Sequence, residues 1–173
     1  MKRWQAILPL AALAGLGILG GIQLMRPTED NFAAKADRIA PSRAFPLLED
    51  ESQTISFDPP PGDKPVMVNL FASWCAPCRV EHPDVTALAT DHPGQVFGLA
   101  YKDKIEDTEG FLAELGNPFE KIGVDASGQG GLDFGLTGVP ETFVISPEGK
   151  IILHVRGPLD ARSRKQVSDA LEG

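Results

Sequence analysis

Residues 66–78 read VMVNLFASWCAPC, an apolar run that leads directly into two cysteines. Only Asn69 interrupts the apolar side chains of residues 66–71, a composition typical of a strand buried on both faces of a sheet. The residues after Cys75 predict a helix that continues to about Asp91, where the sequence His92-Pro93-Gly94 ends it. We therefore expect Cys75 to lie at the N-terminus of a helix that follows a central strand.

This position predicts different roles for the two thiols. The first turn of a helix has unpaired backbone N–H groups and the positive end of the helix dipole, and both favour a thiolate over a thiol. Cys78 lies one turn further into the helix and is expected to be more buried. We therefore expect Cys75 to be the attacking thiol and Cys78 to be the thiol that resolves the mixed disulfide.

Two other interpretations of the cysteine pair remain open from the residues alone. A Cys-x-x-Cys pair can be half of a zinc site, and His82 could lie on the same helix face, but a fourth ligand is missing. A purely structural disulfide would close a very short loop and add little stability. The histidines, His82, His92 and His154, are predicted to be surface or boundary residues.

The rest of the chain alternates between strand-like and helix-like segments. Strands are expected at 45–48, 53–57, 96–101, 121–124, 142–145 and 150–155, and helices at 108–115, near 132–134 and at 160–171. In the helix after Cys75, the spacing of Val80, Ala87 and Leu88 predicts a shared apolar face. This order predicts an α/β fold with parallel strands joined by helices and an antiparallel hairpin at one edge.

A second motif, Gly138-Val139-Pro140-Glu141-Thr142, stands just before a predicted strand. A cis peptide bond before Pro140 would be a deliberate feature of such a segment. The alternative is an ordinary loop proline that enters an edge strand.

The N-terminal segment is expected to be an anchor. Residues 4–25 contain no charge, and a helix of this length spans about 33 Å, against about 30 Å for the hydrocarbon core of a bilayer. Lys2 and Arg3 precede the apolar run, which predicts a cytoplasmic N-terminus for residues 1–3 and export of the rest. A cleaved signal peptide is the alternative, but no small-x-small cleavage site ends the run.

The remainder of the chain is acidic. Residues 27–173 hold 13 basic and 24 acidic side chains, a net charge of −11. This charge argues against nucleic-acid binding, which requires a basic face. We expect a linker at 26–42 and one domain at 43–173. In an exported domain, a lone Cys-x-x-Cys is by default a redox pair.

Over residues 43–173 the chain resembles the thioredoxin superfamily, and within it the membrane-anchored CcmG/DsbE branch of cytochrome c maturation. The motifs that carry the resemblance are Val68–Trp74, the Cys-x-x-Cys pair, Cys78–Pro83, Tyr101-Lys102-Asp103 and Gly138–Phe143. The resemblance implies a thioredoxin-like α/β fold with a central mixed sheet flanked by helices. It also implies a helix-kinking Pro83 and a cis-proline, Pro140, beside the cysteine pair. The residues expected to contact a client are Trp74, Pro77, Tyr101, Val139 and Pro140.

One departure from ordinary thioredoxins concerns the proton of the resolving thiol. Thioredoxins have a buried Asp six residues before the first cysteine, whereas this chain has Asn69, which cannot titrate. The resemblance marks Glu81 and Glu141 as acidic residues near the active site, and either could accept the proton if partly buried. The alternative is that Glu81 is a solvated acid and that Glu141 is an exposed residue at the edge of a strand.

The resemblance implies a thiol–disulfide oxidoreductase held by a single span in the inner membrane, with its C-terminal domain in the periplasm. Its client would be the oxidised Cys-x-x-Cys-His segment of apocytochrome c or a maturation partner that carries it. Electrons would come from a membrane thiol donor of the DsbD/CcdA type, and no cofactor or metal would be needed. The alternatives are a general TlpA-like reductase or oxidase with other clients, or a tethered module that binds clients without turnover.

Overall fold

The structure is a computed structural model that describes Ala33–Ala34 and residues 37–173. The predicted anchor at residues 4–25 lies outside the described residues. Within the part of the chain that is described, no helix is long and apolar enough to cross a membrane.

Nine strands and four helices alternate along the described chain. In order they are β1 (Ala33–Ala34), β2 (Arg38–Ile39), β3 (Phe45–Pro46), β4 (Thr54–Ile55), β5 (Val66–Phe71), α1 (Ala76–Asp91), β6 (Val96–Tyr101), α2 (Ile105–Leu115), β7 (Ile122–Asp125), α3 (Gln129–Phe134), β8 (Glu141–Ile145), β9 (Lys150–Arg156) and α4 (Ala161–Glu172).

Strand β5 lies inside a mixed sheet of order β1-β9-β8-β5-β6-β7, and β2 also pairs with β9. It runs parallel to β6 and antiparallel to β8, and its six residues are all buried. The short strands β3 and β4 form a separate antiparallel pair. The mixed sheet with an antiparallel β8–β9 hairpin is the α/β arrangement expected from the sequence. The hairpin does not form the edge of the sheet as expected, because β1 and β2 pair with the outer side of β9.

Alternating side chains of β5 and β8 point into two separate apolar cores. One core contains Met67, Phe71 and Val144 together with residues of α1, α2 and α4. The other contains Phe143 and Phe134 together with residues of the β3–β4 pair. We call these the α1 face and the α3 face of the sheet. Both cysteines belong to the core on the α1 face.

The structure also differs from the sequence-based expectations in the predicted linker, at the start of α2 and on one face of α1. The segment expected to be a linker contains β1 and β2, which pair with β9. Helix α2 begins at Ile105 rather than at residue 108. The face predicted for the helix after Cys75 was wrong for Val80, which is 75% exposed, whereas the polar Glu81 and His82 are buried beside Leu88.

Candidate active site

Cys75 caps the N-terminus of α1, as the sequence predicted, and forms a disulfide with Cys78. The backbone N–H of Cys78 donates a hydrogen bond to Cys75 Sγ over 3.1 Å. Pro77 occupies the first turn, where its missing N–H costs no hydrogen bond, and Pro83 lies inside the helix. In the reduced protein, the same N–H and the helix dipole would stabilise a thiolate on Cys75.

The turn before Cys75 is held by Asp103, which follows β6. Its carboxylate accepts hydrogen bonds from the N–H and the hydroxyl of Ser73 over 2.6 and 2.8 Å. It also accepts bonds from the hydroxyl of Thr108 and the N–H of Lys104. The neighbouring Trp74 donates its indole N–H to the carbonyl of Lys102 over 3.2 Å. The β6–α2 connection therefore orients the two residues that precede the attacking cysteine.

Glu81 lies one turn after Cys78 on the buried side of α1 and is only 1% exposed. Its Oε1 accepts a hydrogen bond from Asn69 Nδ2 over 2.8 Å, and its Oε2 accepts one from the N–H of Leu159 over 2.8 Å. Burial outweighs these two bonds and raises the pKa of Glu81 to about 7. A carboxyl group with this pKa can exchange a proton with a nearby thiol near neutral pH.

The Val139–Pro140 peptide bond is cis, as the resemblance implied. Pro140 is buried, and the half-buried Val139 packs against the core that contains both cysteines. The segment from Gly135 to Pro140, here called the proline loop, therefore borders the same core as the cysteine pair.

Glu141 begins β8 and is 1% exposed, but it lies on the α3 face, whereas Glu81 lies on the α1 face. Its Oε1 accepts hydrogen bonds from the N–H and the hydroxyl of Thr137, and its Oε2 contacts His154 Nε2 over 2.7 Å. Burial alone raises the pKa of Glu141, but the bonds from His154 and Thr137 outweigh it and hold the pKa below its ordinary value. Glu81 and Glu141, the two acids predicted near the active site, therefore lie on opposite faces of the sheet.

Three of the residues expected to contact a client differ in exposure and in position. Trp74 is 59% exposed, and Pro77 is also exposed. Tyr101 is half-buried at the end of β6, and its ring occupies the space where Gly131 has no Cβ. Lys102 Nζ lies 5.4 Å from the centroid of the same ring. The client-binding roles of these residues remain predictions.

The expectation that the histidines lie at the surface or boundary was wrong, because His82, His92 and His154 are 5%, 8% and 6% exposed. Each has a hydrogen-bond partner, which hydropathy patterns do not reveal. No role was predicted for Asp103 from the sequence. Its place directly after the buried strand β6, where open α/β sheets collect their functional residues, was the available signal.

Comparison with known proteins identifies the family of the chain. The Redoxin family model matches residues 34–171. The thiol:disulfide interchange protein HelX of Rhodobacter capsulatus is 40% identical over 154 residues, which cover 88% of this chain and 86% of HelX. The DsbE homolog of Paracoccus denitrificans is 40% identical, with coverages of 88% and 84%. DsbE of Escherichia coli is 32% identical, with coverages of 94% and 90%.

A solved structure of a thioredoxin family protein from Chlorobium tepidum, named a thiol:disulfide interchange protein, shares the fold with a TM-score of 0.63. It is 23% identical and covers 80% of this chain and 99% of its own. The chain therefore belongs to the Redoxin family and is a thiol–disulfide oxidoreductase of the DsbE type.

Proposed function

We propose that the chain is a membrane-anchored periplasmic reductase for disulfides of apocytochrome c, or of a partner that holds it, during cytochrome c biogenesis. The observation that carries the reductive mechanism is the placement of the buried Glu81 carboxyl group one turn after Cys78. The client and the location are supported by the family resemblance and by the uncharged run of residues 4–25.

The reaction begins with the reduced protein. The Cys75 thiolate attacks one sulfur of the client disulfide, whose S–S bond breaks as the mixed disulfide forms. The second client sulfur leaves as a thiolate and takes a proton from water. Cys75 is the attacking group because its Sγ receives the N–H of Cys78 at the helix N-terminus.

The second step releases the client. Cys78 transfers its thiol proton to the Glu81 carboxylate, and the resulting thiolate attacks Cys75 Sγ. The mixed disulfide breaks, the client leaves with both sulfurs reduced, and the protein ends with the Cys75–Cys78 disulfide of the present structure. Two electrons have passed to the client, so a membrane thiol donor must reduce the protein before the next cycle.

The direction of exchange is tested by the reduction potential of the cysteine pair in the full-length chain, measured by equilibration with glutathione. A value near or below about −200 mV supports a reductant that needs a dedicated donor. A value near about −120 mV, as in strong periplasmic oxidants, would contradict the reductase proposal.

The client is tested with a synthetic peptide that contains Cys-Ala-Ala-Cys-His closed by a disulfide. We expect the reduced full-length chain to reduce this peptide faster than a matched peptide in which Ala replaces the His. Equal rates would favour a general reductase.

Topology is tested with reporter fusions after residue 3 and residue 173, and a cytoplasmic C-terminal reporter would contradict the periplasmic location.

A further inference from the structure

The proline loop is tied to the strand that follows it by a single carboxylate. Thr137 lies on the exposed part of the loop, yet its N–H and its hydroxyl both donate to Glu141 Oε1, the N–H over 3.0 Å. The cis peptide bond before Pro140 lies between these two residues in the chain. The side chain of Glu141 therefore spans the segment that borders the cysteine core and restricts its conformation.

The other oxygen of this carboxylate is held by His154. Nε2 of His154 lies 2.7 Å from Glu141 Oε2. The imidazole stacks on Phe143 with 4.1 Å between ring centroids and 21° between planes, so its orientation is set by the core. Charged groups on the neighbouring described strands include Arg156, paired with Glu141 in the β8–β9 register, and Arg38 of β2, 5.8 Å from the centroid of Phe143.

These contacts form a chain of three side chains from β9 to the loop. His154 and Glu141 are buried, so their bond is shielded from water and from competition by solvent. Loss of the His154 side chain would remove the hydrogen-bond partner of Oε2 in the buried Glu141 carboxylate. The carboxylate would then shift to recover a donor, and Thr137 would move with it.

We propose that His154 is a positioning residue for client binding, which acts through Glu141 and Thr137 to hold the proline loop in the conformation that receives a client beside Cys75. The inference rests on the proposed reduction of protein disulfides, because the loop matters only for clients large enough to contact it. His154 does not touch the reacting sulfurs in this proposal. Small disulfides, which make no loop contacts, are therefore unaffected.

The test compares His154→Leu with wild type in the reduced full-length chain. The substrates are the Cys-Ala-Ala-Cys-His peptide disulfide, insulin as a general protein disulfide, and hydroxyethyl disulfide as a small one. We expect KM for the peptide and for insulin to rise about tenfold, the equivalent of one buried hydrogen bond to a charged group. The rate with hydroxyethyl disulfide and the reduction potential should stay within about twofold of wild type.

Three further variants sharpen the result. His154→Gln keeps an N–H donor, so its KM values should lie close to those of wild type. Thr137→Ala alters only an exposed residue of the loop and should reproduce the KM increase even if His154→Leu does not fold. His92→Leu is the matched control, because His92 is also buried and bonds Ser168 in α4 over 2.8 Å. Its KM values should match those of wild type.

Unchanged KM in His154→Leu and Thr137→Ala would overturn the proposal, as would an equal loss on all three substrates. Failure of the proposed client looks different. A wild-type chain that reduces insulin but not the peptide contradicts the apocytochrome c proposal, while the effect of His154 is still measured on insulin. A wild-type chain that reduces neither contradicts both.

Discussion

The amide of Asn69 donates a hydrogen bond to the carboxylate of Glu81 over 2.8 Å, between the central strand and the helix that carries both cysteines. The same amide nitrogen also donates to the hydroxyl of Thr142 over 3.0 Å. Asn69 stands six residues before Cys75, where the resemblance gives thioredoxins a buried Asp. The titratable acid of this site is therefore on the helix rather than on the strand, and the strand supplies a neutral donor to it.

This relationship predicts a pH-dependent cost for Asn69→Asp. The substitution places a second carboxyl group within 3 Å or so of Glu81, and two such groups cannot both ionise cheaply in a buried site. We expect the unfolding free energy of the disulfide form to fall by roughly 3 kcal/mol more at about pH 8 than at about pH 5, where the pair shares protons. Urea unfolding at the two pH values measures the difference.

Asn117→Asp is the matched control for this change. Asn117 is exposed and its side-chain oxygen accepts the N–H of Phe119, which an aspartate can also accept. The control should therefore change stability little at either pH. An equal loss at both pH values in Asn69→Asp would show that the two carboxyl groups do not interact.

Replacement of Glu81 by Gln should slow the release of the client. The carboxylate accepts the Cys78 proton in our account, and general bases of this kind contribute about 10²-fold or more. A Gln can keep both hydrogen bonds, since the amide of Asn69 can turn to present its oxygen. We expect about 10²-fold slower single-turnover reduction of the peptide disulfide and loss of a rate increase centred near pH 7.

Glu106→Gln serves as the control for this kinetic effect, because Glu106 is an exposed acid in the first turn of α2. Its rate profile should follow that of wild type. A Glu81→Gln profile that overlays wild type from pH 6 to about pH 9 would remove Glu81 from the mechanism.

The free energy of unfolding should also depend on pH because the pKa of Glu81 is raised in the folded protein. The folded value of about 7 exceeds the ordinary value of 4.5, so the folded state binds this proton more tightly than the unfolded state. The resulting stabilisation is complete below about pH 4.5 and is lost as the pH rises through about 7, a change on the order of 3 kcal/mol. Because Gln does not titrate, Glu81→Gln should gain stability relative to wild type over this interval.

Urea unfolding of both disulfide forms across this pH interval measures the gain. A difference between the two proteins that stays constant with pH would mean that the carboxyl group titrates at its ordinary value in the folded state.

Much of the fold was predictable because its central elements are long apolar segments with clear ends. Strands β5 and β6 were located by their apolar runs, and Cys75 was correctly expected to lie at the N-terminus of α1. The short strands β1 and β2 could not be predicted, since two-residue segments carry no periodicity and depend on pairing with β9.

The candidate site was less predictable because its buried polar residues are stabilised by distant partners. The buried Glu81 is hydrogen-bonded to Asn69, and the buried His82 is hydrogen-bonded to the carbonyl of Gly116. Val80, which precedes them in the helix, faces solvent. Apolar spacing therefore gave the wrong face of α1 for Val80. The link between Glu141 and His154 joins two strands, so it could be seen only once their register was known.

The different roles of the two cysteines are tested most directly by trapping the mixed disulfide. The full-length variants Cys78→Ser and Cys75→Ser are reduced, mixed with the Cys-Ala-Ala-Cys-His peptide disulfide, quenched with acid and weighed by mass spectrometry. We predict that Cys78→Ser accumulates a covalent adduct of one peptide per chain, since the attacking thiol remains and the releasing thiol is absent. Cys75→Ser should accumulate none. An adduct on Cys75→Ser, or equal amounts on both variants, would contradict the assignment of Cys75 as the attacking thiol.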